Sequence, residues 1–331
     1  MTKYNKLPLN KIIVILGPTS AGKSAVAIKL AQKFDGEVVS VDSRQIYRGM
    51  DVGTGKVTQD KISNFIRRGG QISNQIQNTK FKKIKPFISE GVVHHMLDIV
   101  SPKTNFSAAQ FKKKADKIIK DILRRGKLPI LCGGTGFWIK AAVDNITYPE
   151  VKPDWKLRKK LEQKEITELI HELKKLDPRR AENIDAKNKV RLIRAIEICK
   201  TLGKVPDMSY GLQVTSYEFL QIGISVPKEK LHAKIKKRLD TRWQAGMISE
   251  VQKLKKSGLS FQKIQSFGLG YFWIPEYLQE KITLEELYER VYLAEKDYAK
   301  RQMTWFQKDH RIKWLKKYKD MEKEVSVFIK N

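Results

Sequence analysis

Short apolar runs alternate with amphipathic stretches along the first part of the chain. Lys11–Leu16 is an apolar run with the length of a buried strand, and apolar residues then recur at helical spacing over Ser24–Phe34. Glu37–Val41 predicts a second strand, Ser107–Arg125 a long amphipathic helix, and Leu128–Cys132 a third strand. Strands that alternate with helices in this way predict an α/β fold, in which helices cover both faces of a parallel sheet.

From about residue 144 the pattern becomes a series of helical stretches with no strand signal between them. They span Pro153–Gln163, Ile166–Leu176 and Ala186–Leu202, and Gly203 is a natural stop for the last one. We therefore expect residues 144–215 to form an all-helical insertion into the α/β core.

The pattern of the core returns after the insertion. Gln221–Val226 predicts a strand, and Lys228–Lys256 predicts a long basic helical stretch. Thr283 and Glu286 have the spacing of a capping box, which predicts the start of a final helix. This second part of the core would span residues 216–320.

Positive charge dominates the composition. The 331 residues include 66 lysines and arginines against 36 acidic residues, which gives a formal net charge of +30. A charge this large favours a polyanionic partner, with nucleic acid as the first candidate and an anionic membrane as the second. Residues 57–93 carry seven basic and two acidic side chains with little periodicity. We expect them to form a basic surface excursion from the first part of the core, residues 8–143.

Cysteine usage and the short apolar runs narrow the class of protein. Cys132 and Cys199 are too few for a disulfide framework or a four-cysteine zinc site. The apolar run Ile12–Leu16 is far too short to span a bilayer. We therefore expect a cytoplasmic protein that makes no membrane contact. We also expect a monomer, which these features do not test.

A glycine-rich loop connects the first predicted strand to the first predicted helix. It reads Gly17-Pro18-Thr19-Ser20-Ala21-Gly22-Lys23-Ser24 and fits G-x-x-x-x-G-K-[ST] at every specified position. The backbone N–H groups of such a loop and the positive end of the helix converge on phosphate, so all eight residues are candidate diphosphate ligands. Lys23 would reach the terminal phosphate oxygens, and the Ser24 hydroxyl would ligate Mg²⁺. The expected fold is therefore a P-loop NTPase-like α/β domain.

The loop alone does not define the reaction. The chain has no N-K-x-D motif for guanine recognition and no hydrophobic strand that ends in Asp-Glu, which argues against a GTPase and a mechanical ATPase. A small-molecule kinase and a transferase whose leaving group is pyrophosphate both remain.

Five further sequence blocks follow the loop. They are Val41–Lys56, His94–Ile99, Gly133–Trp138, Arg191–Glu197 and Ala299–Phe306. Together with the loop, in this order and over about residues 10–310, they closely resemble the tRNA dimethylallyltransferases. The resemblance implies transfer of a dimethylallyl group from dimethylallyl diphosphate to N6 of adenosine 37 in tRNA, with release of pyrophosphate.

The resemblance also implies four catalytic residues. Asp42 would be the base that acts on N6, and Thr19 would contact both the diphosphate and the reacting amine. Lys23 and Arg238 would hold the pyrophosphate. Two alternatives stay open from the residues alone: Asp42 as a ligand of a Mg²⁺-bound water, and Arg238 on a solvated helix face with Arg242.

An anticodon stem-loop is the implied acceptor, with its target base turned out of the stack. Residues implied to contact tRNA are Asp42, Ser43, Arg44, Gln45, Thr135, Arg158, Arg191, Arg194, Phe267, Gly268, Gly270, Tyr271, Lys296, Lys300 and Arg301. Arg191 and Arg194 are three residues apart, so one helix face would present both to successive phosphates. An exposed Phe267 or Tyr271 could stack on a splayed base, and a core position for both is the alternative.

Two other functions remain as alternatives. An ATP-dependent small-molecule kinase would use the same loop but would have no use for a net charge of +30. A non-catalytic RNA-binding protein would explain the charge but would leave Lys23 and Ser24 without a role. We expect the transferase, with tRNA and dimethylallyl diphosphate as partners and Mg²⁺ as cofactor.

Overall fold

One mostly parallel sheet organises the chain. The computed structural model describes residues 10–60, 87–206 and 216–331, and within these ranges seven strands form a sheet of order β3-β4-β2-β5-β1-β6-β7. The strands are β1 Lys11–Leu16, β2 Gly36–Val41, β3 Phe87–Ser89, β4 Val92–His95, β5 Leu128–Gly133, β6 Glu218–Ile224 and β7 Lys313–Leu315. All neighbouring pairs are parallel except β3 and β4. The predicted α/β fold is confirmed.

Helices make up most of the other described residues. They are α1 Lys23–Lys33, α2 Ala108–Arg124, α3 Gly136–Val143, α4 Trp155–Glu162, α5 Ile166–Leu176, α6 Pro178–Glu182, α7 Lys189–Leu202, α8 Lys228–Gln244, α9 Met247–Lys256, α10 Phe261–Gln265, α11 Gly270–Leu278, α12 Leu284–Phe306 and α13 Tyr318–Lys330. The chain divides into two compact units: residues 1–143 with 215–331, and residues 144–214. The second unit contains α4 to α7, with its own apolar core around Leu169, Leu173 and Ile196.

Strand β1 lies inside the sheet between β5 and β6. Its side chains alternate between two apolar layers: Ile12, Val14 and Leu16 belong to one, and Ile13 and Ile15 to the other. Because both faces of this strand are buried, it reads as a continuous apolar run rather than as an alternating one.

The sheet has a topological switch point beside β1. From β1 the chain passes through α1 to β2, which lies beyond β5, whereas β6 pairs with the other edge of β1. In open α/β sheets, ligands bind at the carboxyl ends of the strands at such a point. The phosphate loop after β1, Asp42 after β2 and Thr135 after β5 therefore lie at the same edge of the sheet.

The basic stretch Lys228–Lys256 is two helices, which corrects the expectation of one. Helix α8 ends at Gln244 and α9 begins at Met247. Gly246 between them has a φ of +87°, in the left-handed region that favours glycine. Both helices are amphipathic, so their periodicity alone does not reveal the break.

The prediction of a surface excursion over residues 57–93 is wrong at the C-terminal end of that range. Residues 61–86 lie outside the described residues, but Phe87–Ser89 is strand β3, with Ile88 fully buried. A strand of three residues is too short to produce a recognisable alternation.

The helix that opens at Thr283 has the predicted capping box, but it is not the last element. Strand β7 and helix α13 follow it, and Met321 and Val325 of α13 pack into the same apolar layer as Ile13 and Ile15. The core therefore extends beyond residue 320. No helix in the described parts of the chain is long and apolar enough to cross a bilayer.

A buried ion cluster joins β2 and β4 to the end of α2. Glu37 is only 3% exposed, and it accepts hydrogen bonds from both terminal nitrogens of Arg125 and interacts with Nε2 of His95 at 2.7 Å. Burial alone would raise the pKa of Glu37, but the hydrogen bonds from Arg125 and His95 outweigh it and lower the pKa to about 2. The ionised carboxylate therefore stabilises the fold at neutral pH.

We predict that Glu37→Gln lowers the free energy of unfolding at pH 7 by about 3–5 kcal/mol, the usual cost of breaking one side of a buried ion pair. The folded-state pKa lies below the ordinary value of 4.5, so wild type should lose this advantage as the pH falls from about 4.5 toward 2. Urea denaturation at several pH values measures both effects. Asp35→Asn, which breaks the exposed pair with Lys127, is the control and should cost less than about 1 kcal/mol. Equal losses in the two variants would contradict the prediction.

Candidate active site

A cavity of about 1280 Å³ opens at the carboxyl ends of β1, β2 and β5. Its walls come from the phosphate loop, the segment after β2, the loop after β5, and helices α8 and α12. Eight basic and four acidic side chains line it. The cavity therefore favours an anionic ligand.

The phosphate loop has the backbone conformation that its glycines allow. Gly17 and Gly22 have φ values of +141° and +97°, where any other residue is strained. A Cβ on Gly17 would also lie 3.3 Å from the carbonyl oxygen of Ile224. The hydroxyl of Ser20 is buried and has no hydrogen-bond partner within the described ranges. A phosphate oxygen held by the loop would supply that partner.

Lys23 turns back over the loop. Its Nζ donates a hydrogen bond of 2.7 Å to the carbonyl oxygen of Pro18. Burial, and to a smaller extent the positive charge of Arg238, lower the pKa of Lys23 to about 8, against opposing effects of Cys132 and Asp42. An anion bound next to Lys23 would raise the pKa of the lysine back toward its ordinary value.

Arg238 faces the phosphate loop and not the solvent, which rules out the solvated-face alternative. Its Nη1 donates to Oγ1 of Thr19 at 2.9 Å, and its Nη2 donates to the carbonyl oxygens of Thr54 and Gly55 at 3.1 and 3.3 Å. Burial and the charge of Arg242 lower the pKa of Arg238. The guanidinium is therefore aimed at the place where the loop would hold phosphate.

Arg242, one turn further along α8, is also buried. It donates to Oε1 of Glu295 at 2.8 Å and to the carbonyl oxygen of Gly53 at 2.9 Å, while its buried Nε has no partner among the described residues. Two of the five N–H donors of this guanidinium are therefore paired with acceptors of the protein, one of them a carboxylate.

Glu250 of α9 holds the segment that faces these arginines. Its carboxylate accepts hydrogen bonds from the N–H groups of Asp51, Val52 and Gly53 at 2.6, 2.7 and 3.0 Å. It also accepts the hydroxyl of Tyr271 at 2.6 Å. Burial, with the negative charge of Glu250, raises the pKa of Tyr271 well above its usual value and keeps this hydroxyl a donor. Glu250 thereby fixes the carbonyl groups to which Arg238 and Arg242 bond.

Gln302 of α12 connects the C-terminal part of the core to the loop. Its Oε1 accepts the N–H of Thr19 at 2.7 Å, and its Nε2 donates to the carbonyl oxygen of Gly134 at 2.8 Å. A Cβ on Gly134 would lie 2.1 Å from that Nε2, so this approach requires glycine. Both amide atoms of Gln302 are used in holding the phosphate loop against the loop after β5.

Asp42 begins a tight turn directly after β2. Its Oδ1 accepts the N–H groups of Arg44 at 2.8 Å and Gln45 at 3.3 Å. The N–H of Ser43 donates to Oγ1 of Thr135 at 3.0 Å, which ties this turn to the loop after β5. The turn places an acidic side chain in the same cavity as the phosphate loop.

The aromatic residues of the 267–271 segment belong to the core, which corrects the expected exposure. Phe267 is 3% exposed and Tyr271 is 2% exposed. The carbonyl oxygen of Phe267 accepts a hydrogen bond from Nε of Arg44, and Gly268 has a φ of +74°. Gly270 packs against Met247, where a Cβ would lie 1.9 Å from the Met Cε atom. Both rings are committed to packing, so neither can stack on a nucleobase without leaving the core.

Three basic residues of α12 differ in position. Arg301 lines the cavity and lies over the ring of Tyr298 at 5.9 Å. Lys296 lies over the ring of Tyr292 at 5.1 Å, and Lys300 is exposed on the helix surface. Only Arg301 is adjacent to the phosphate loop and Asp42.

Two arginines of the second unit, Arg158 and Arg194, contact a buried glutamate. Glu197 is 1% exposed and accepts hydrogen bonds from Nε of Arg158 at 2.9 Å, from Nη2 of Arg158 at 2.7 Å, and from Arg194. Arg191 is exposed, and within the described ranges its guanidinium has one partner, Asp185 at 3.4 Å. We expected one helix face to present both Arg191 and Arg194 to a ligand. Instead the side chain of Arg194 turns toward Glu197, while that of Arg191 stays exposed.

The cavity brings together most of the expected site residues of the first unit. These are Thr19, Ser20, Gly22, Lys23, Ser24, Asp42, Ser43, Arg44, Gln45, Thr135, Arg238, Phe267, Gly268, Tyr271 and Arg301. Sequence reasoning missed Arg242, Glu250, Glu295, Gln302 and Trp305. A signal was present in α12, since Glu295, Tyr298, Gln302 and Trp305 recur at spacings of three and four residues and all four line the cavity.

The fold and this site define a P-loop α/β protein with a cation-lined cavity at the carboxyl ends of its strands. The IPP transferase family model matches residues 81–309, and the isopentenyl transferase model matches residues 10–76. A tRNA dimethylallyltransferase from Acetivibrio thermocellus is 37% identical over 93% of this chain and 92% of its own. The chain belongs to the IPP transferase family.

Solved structures show the same similarity. The tRNA isopentenylpyrophosphate transferase from Bacillus halodurans superimposes with a TM-score of 0.66 at 30% identity, over 97% of both chains. A eukaryotic dimethylallyltransferase, described as acting on tRNA, gives a TM-score of 0.71 at 26% identity, over 93% of this chain and 74% of its own.

We predict that Glu250→Gln weakens both the fold and the phosphate site. One amide oxygen cannot replace two carboxylate oxygens, and each buried donor left without an acceptor costs about 1–3 kcal/mol. The loss of order at residues 51–55 should also weaken binding of inorganic pyrophosphate, because Arg238 depends on carbonyl groups in that segment. Denaturation and calorimetric titration measure the two effects.

The control for this variant is Glu289→Gln, at an exposed position of α12, which should change stability by less than about 0.5 kcal/mol. Unchanged pyrophosphate affinity in Glu250→Gln would show that the segment holds Arg238 in place without Glu250.

Proposed function

We propose that this protein is a tRNA dimethylallyltransferase, which moves a dimethylallyl group from dimethylallyl diphosphate to N6 of adenosine 37 and releases pyrophosphate. The observation that carries the proposal is the content of one cavity: a phosphate loop with Arg238 bonded to Thr19, and the carboxylate of Asp42 at the next strand end. The relatives' names, tRNA dimethylallyltransferase and tRNA isopentenylpyrophosphate transferase, support the same reaction.

The cations of the cavity suit a pyrophosphate leaving group. As the bond between C1 of the dimethylallyl group and the bridging oxygen breaks, negative charge grows on the pyrophosphate. Lys23, Arg238 and the N–H groups of the loop would stabilise that charge from fixed positions, which is the most effective form of electrostatic catalysis. Thr19 bridges the two halves of the site, because its hydroxyl contacts Arg238 and its N–H contacts Gln302.

Asp42 is the proposed base for the acceptor. The lone pair of the adenine N6 amine is delocalised into the ring, so removal of its proton assists attack on C1. The new bond joins N6 to C1, and the proton passes from N6 to the Asp42 carboxylate. The bonds from the N–H groups of Arg44 and Gln45 hold one oxygen of that carboxylate in place.

A divalent cation fits the oxygen donors of this site. The Ser24 hydroxyl lines the cavity, and a hydroxyl is a hard oxygen ligand of the kind that Mg²⁺ prefers. The described residues contain no cluster of three or more metal-ligating side chains, so a diphosphate and water would complete the shell. When bound, Mg²⁺ would neutralise charge on the leaving pyrophosphate.

The second unit and the surface of α12 are the proposed tRNA-binding regions. Arg191 and Lys300 are exposed, which leaves them accessible to phosphates, while Arg158 and Arg194 are oriented by Glu197. We propose that the protein acts on the anticodon stem-loop as a monomer in the cytoplasm.

Incubation of the purified protein with unmodified tRNA and labelled dimethylallyl diphosphate tests the proposal. We expect label in the tRNA at the position next to the anticodon, and release of pyrophosphate. Phosphorylation of a small molecule with consumption of ATP would instead identify a kinase. Binding of tRNA without transfer would identify an RNA-binding protein that lacks the activity.

We predict that Asp42→Asn lowers the rate of transfer by about 10²–10⁴-fold, the usual worth of a positioned base. The amide keeps the shape of the side chain, so the affinity for dimethylallyl diphosphate should barely change. Single-turnover rates and calorimetry separate the two quantities. Near-normal turnover would exclude Asp42 as the base.

We also predict that Arg191→Gln and Lys300→Gln each reduce the salt dependence of tRNA binding. Each lost phosphate contact should lower the slope of log affinity against log salt by about 0.7 in a single-stranded region and about 0.9 in a duplex. Lys323→Gln, an equal charge change on the exposed surface of α13, is the control. Binding isotherms at several salt concentrations measure the slopes, and a slope that falls equally in the control would assign the effect to net charge alone.

A further inference from the structure

Two large aromatic side chains remain half-exposed where they line the cavity. Among the described residues of the lining, Phe137 is 42% exposed and Trp305 is 41% exposed. Phe267 and Tyr271, in the same lining, are almost fully buried. What distinguishes these two rings from the other exposed apolar side chains of the described residues is their position in the cavity lining, where a bound ligand would cover them.

The position of Trp305 is set by a glycine. A Cβ on Gly136 would lie 2.2 Å from Cδ1 and 2.4 Å from Nε1 of the indole, so the ring occupies the space that a side chain would need. Gly136 is the first residue of α3, and no positive φ requires a glycine there. Close approach of the ring is therefore the reason for glycine at this position, and the ring is supported by backbone on that side.

A short series of contacts connects Trp305 to the proposed base. Thr135 precedes Gly136, and its Oγ1 accepts the N–H of Ser43, the residue after Asp42. On α12, Gln302 lies one turn before Trp305 and holds the phosphate loop. The indole is thus placed at the side of the cavity where the acceptor nucleotide must arrive.

We propose that Trp305, supported by Gly136, is a stacking platform for an unpaired nucleobase adjacent to the target adenosine. This inference rests on the proposed function and adds a contact that holds the acceptor strand while its neighbour is turned into the cavity. Aromatic rings bind single-stranded bases through their π faces with little preference for base identity. Arg301, four residues before Trp305 and also in the lining, is placed for the adjoining phosphate.

The alternative group that would pack on the indole of Trp305 is the dimethylallyl tail, which is also apolar. The two occupants predict different kinetic effects. A stacked nucleobase makes Trp305 contribute to the KM for tRNA, whereas a packed prenyl tail makes it contribute to the KM for dimethylallyl diphosphate.

Steady-state kinetics of Trp305→Ala test the proposal. We expect the KM for an anticodon stem-loop to rise about 5- to 150-fold, as for the loss of one stacked base, with little change in the KM for dimethylallyl diphosphate. Trp305→Phe should recover part of the loss, and Trp305→Leu should not. The slope of log affinity against log salt should stay as in wild type, because no phosphate contact is removed.

Gly136→Ala provides a second variant, in which Trp305 itself is not mutated. Its Cβ must displace the ring, so the KM for the stem-loop should rise, and in a Trp305→Ala background it should rise no further. Phe272→Ala is the matched control, since Phe272 is also 42% exposed but does not line the cavity. A stem-loop with 2-aminopurine beside the target should lose fluorescence on binding to wild type and keep it on binding to Trp305→Ala.

Three results would overturn the proposal: an unchanged KM for the stem-loop in Trp305→Ala, a rise confined to dimethylallyl diphosphate, or an equal effect in Phe272→Ala. A wild-type protein that transfers no label to tRNA would instead refute the proposed function, so the two failures can be told apart.

Discussion

The site depends on keeping several cations close together away from water. Lys23, Arg238 and Arg242 surround the phosphate loop, and burial with mutual repulsion lowers the pKa of Lys23 and of Arg238. Of these three, Arg242 alone has a carboxylate partner among the described residues, Glu295. Arg238 is held by carbonyl dipoles and a hydroxyl, and Lys23 by a carbonyl oxygen. Such an arrangement is costly until a multivalent anion arrives, and this cost is the physical basis of a preference for diphosphate.

The same constraint explains why distant parts of the chain must meet. Gln302 contacts the phosphate loop across 283 residues of sequence, and Glu250 holds the 51–53 segment from almost 200 residues away. Neither contact could form in the first part of the core alone. The second part therefore completes the site as well as the sheet, which is why a helical unit of about 70 residues can be inserted between the two parts without interrupting either one.

Local signals predicted the elements whose causes are local. The apolar run of β1, the glycine pattern of the phosphate loop and the capping box at Thr283 each depend on residues a few positions apart, and each is present in the structure. The features that the sequence did not predict depend on tertiary contacts. The periodicity of α8 fits a charged face for Arg242 as well as it fits an internal ion pair with Glu295, because the partner lies 53 residues away. The burial of Tyr271 depends likewise on Glu250 of α9 and on Gly53, and Phe267 packs against Tyr47, contacts that no pattern within residues 267–271 reveals.

The net charge of +30 therefore has two physically different components. The buried Arg242 and the partly buried Arg238 are fixed by partners and contribute a preformed field inside the cavity, where the low dielectric makes each charge effective. Exposed cations such as Arg191 and Lys300 lie in water, where salt screens them, and a nucleic-acid strand is the ligand proposed for them. Composition adds the two together, although one component addresses a small diphosphate and the other an extended polyanion. A protein that must bring a compact anion and a long anionic chain to one carboxylate needs both, and the fold separates them by burial.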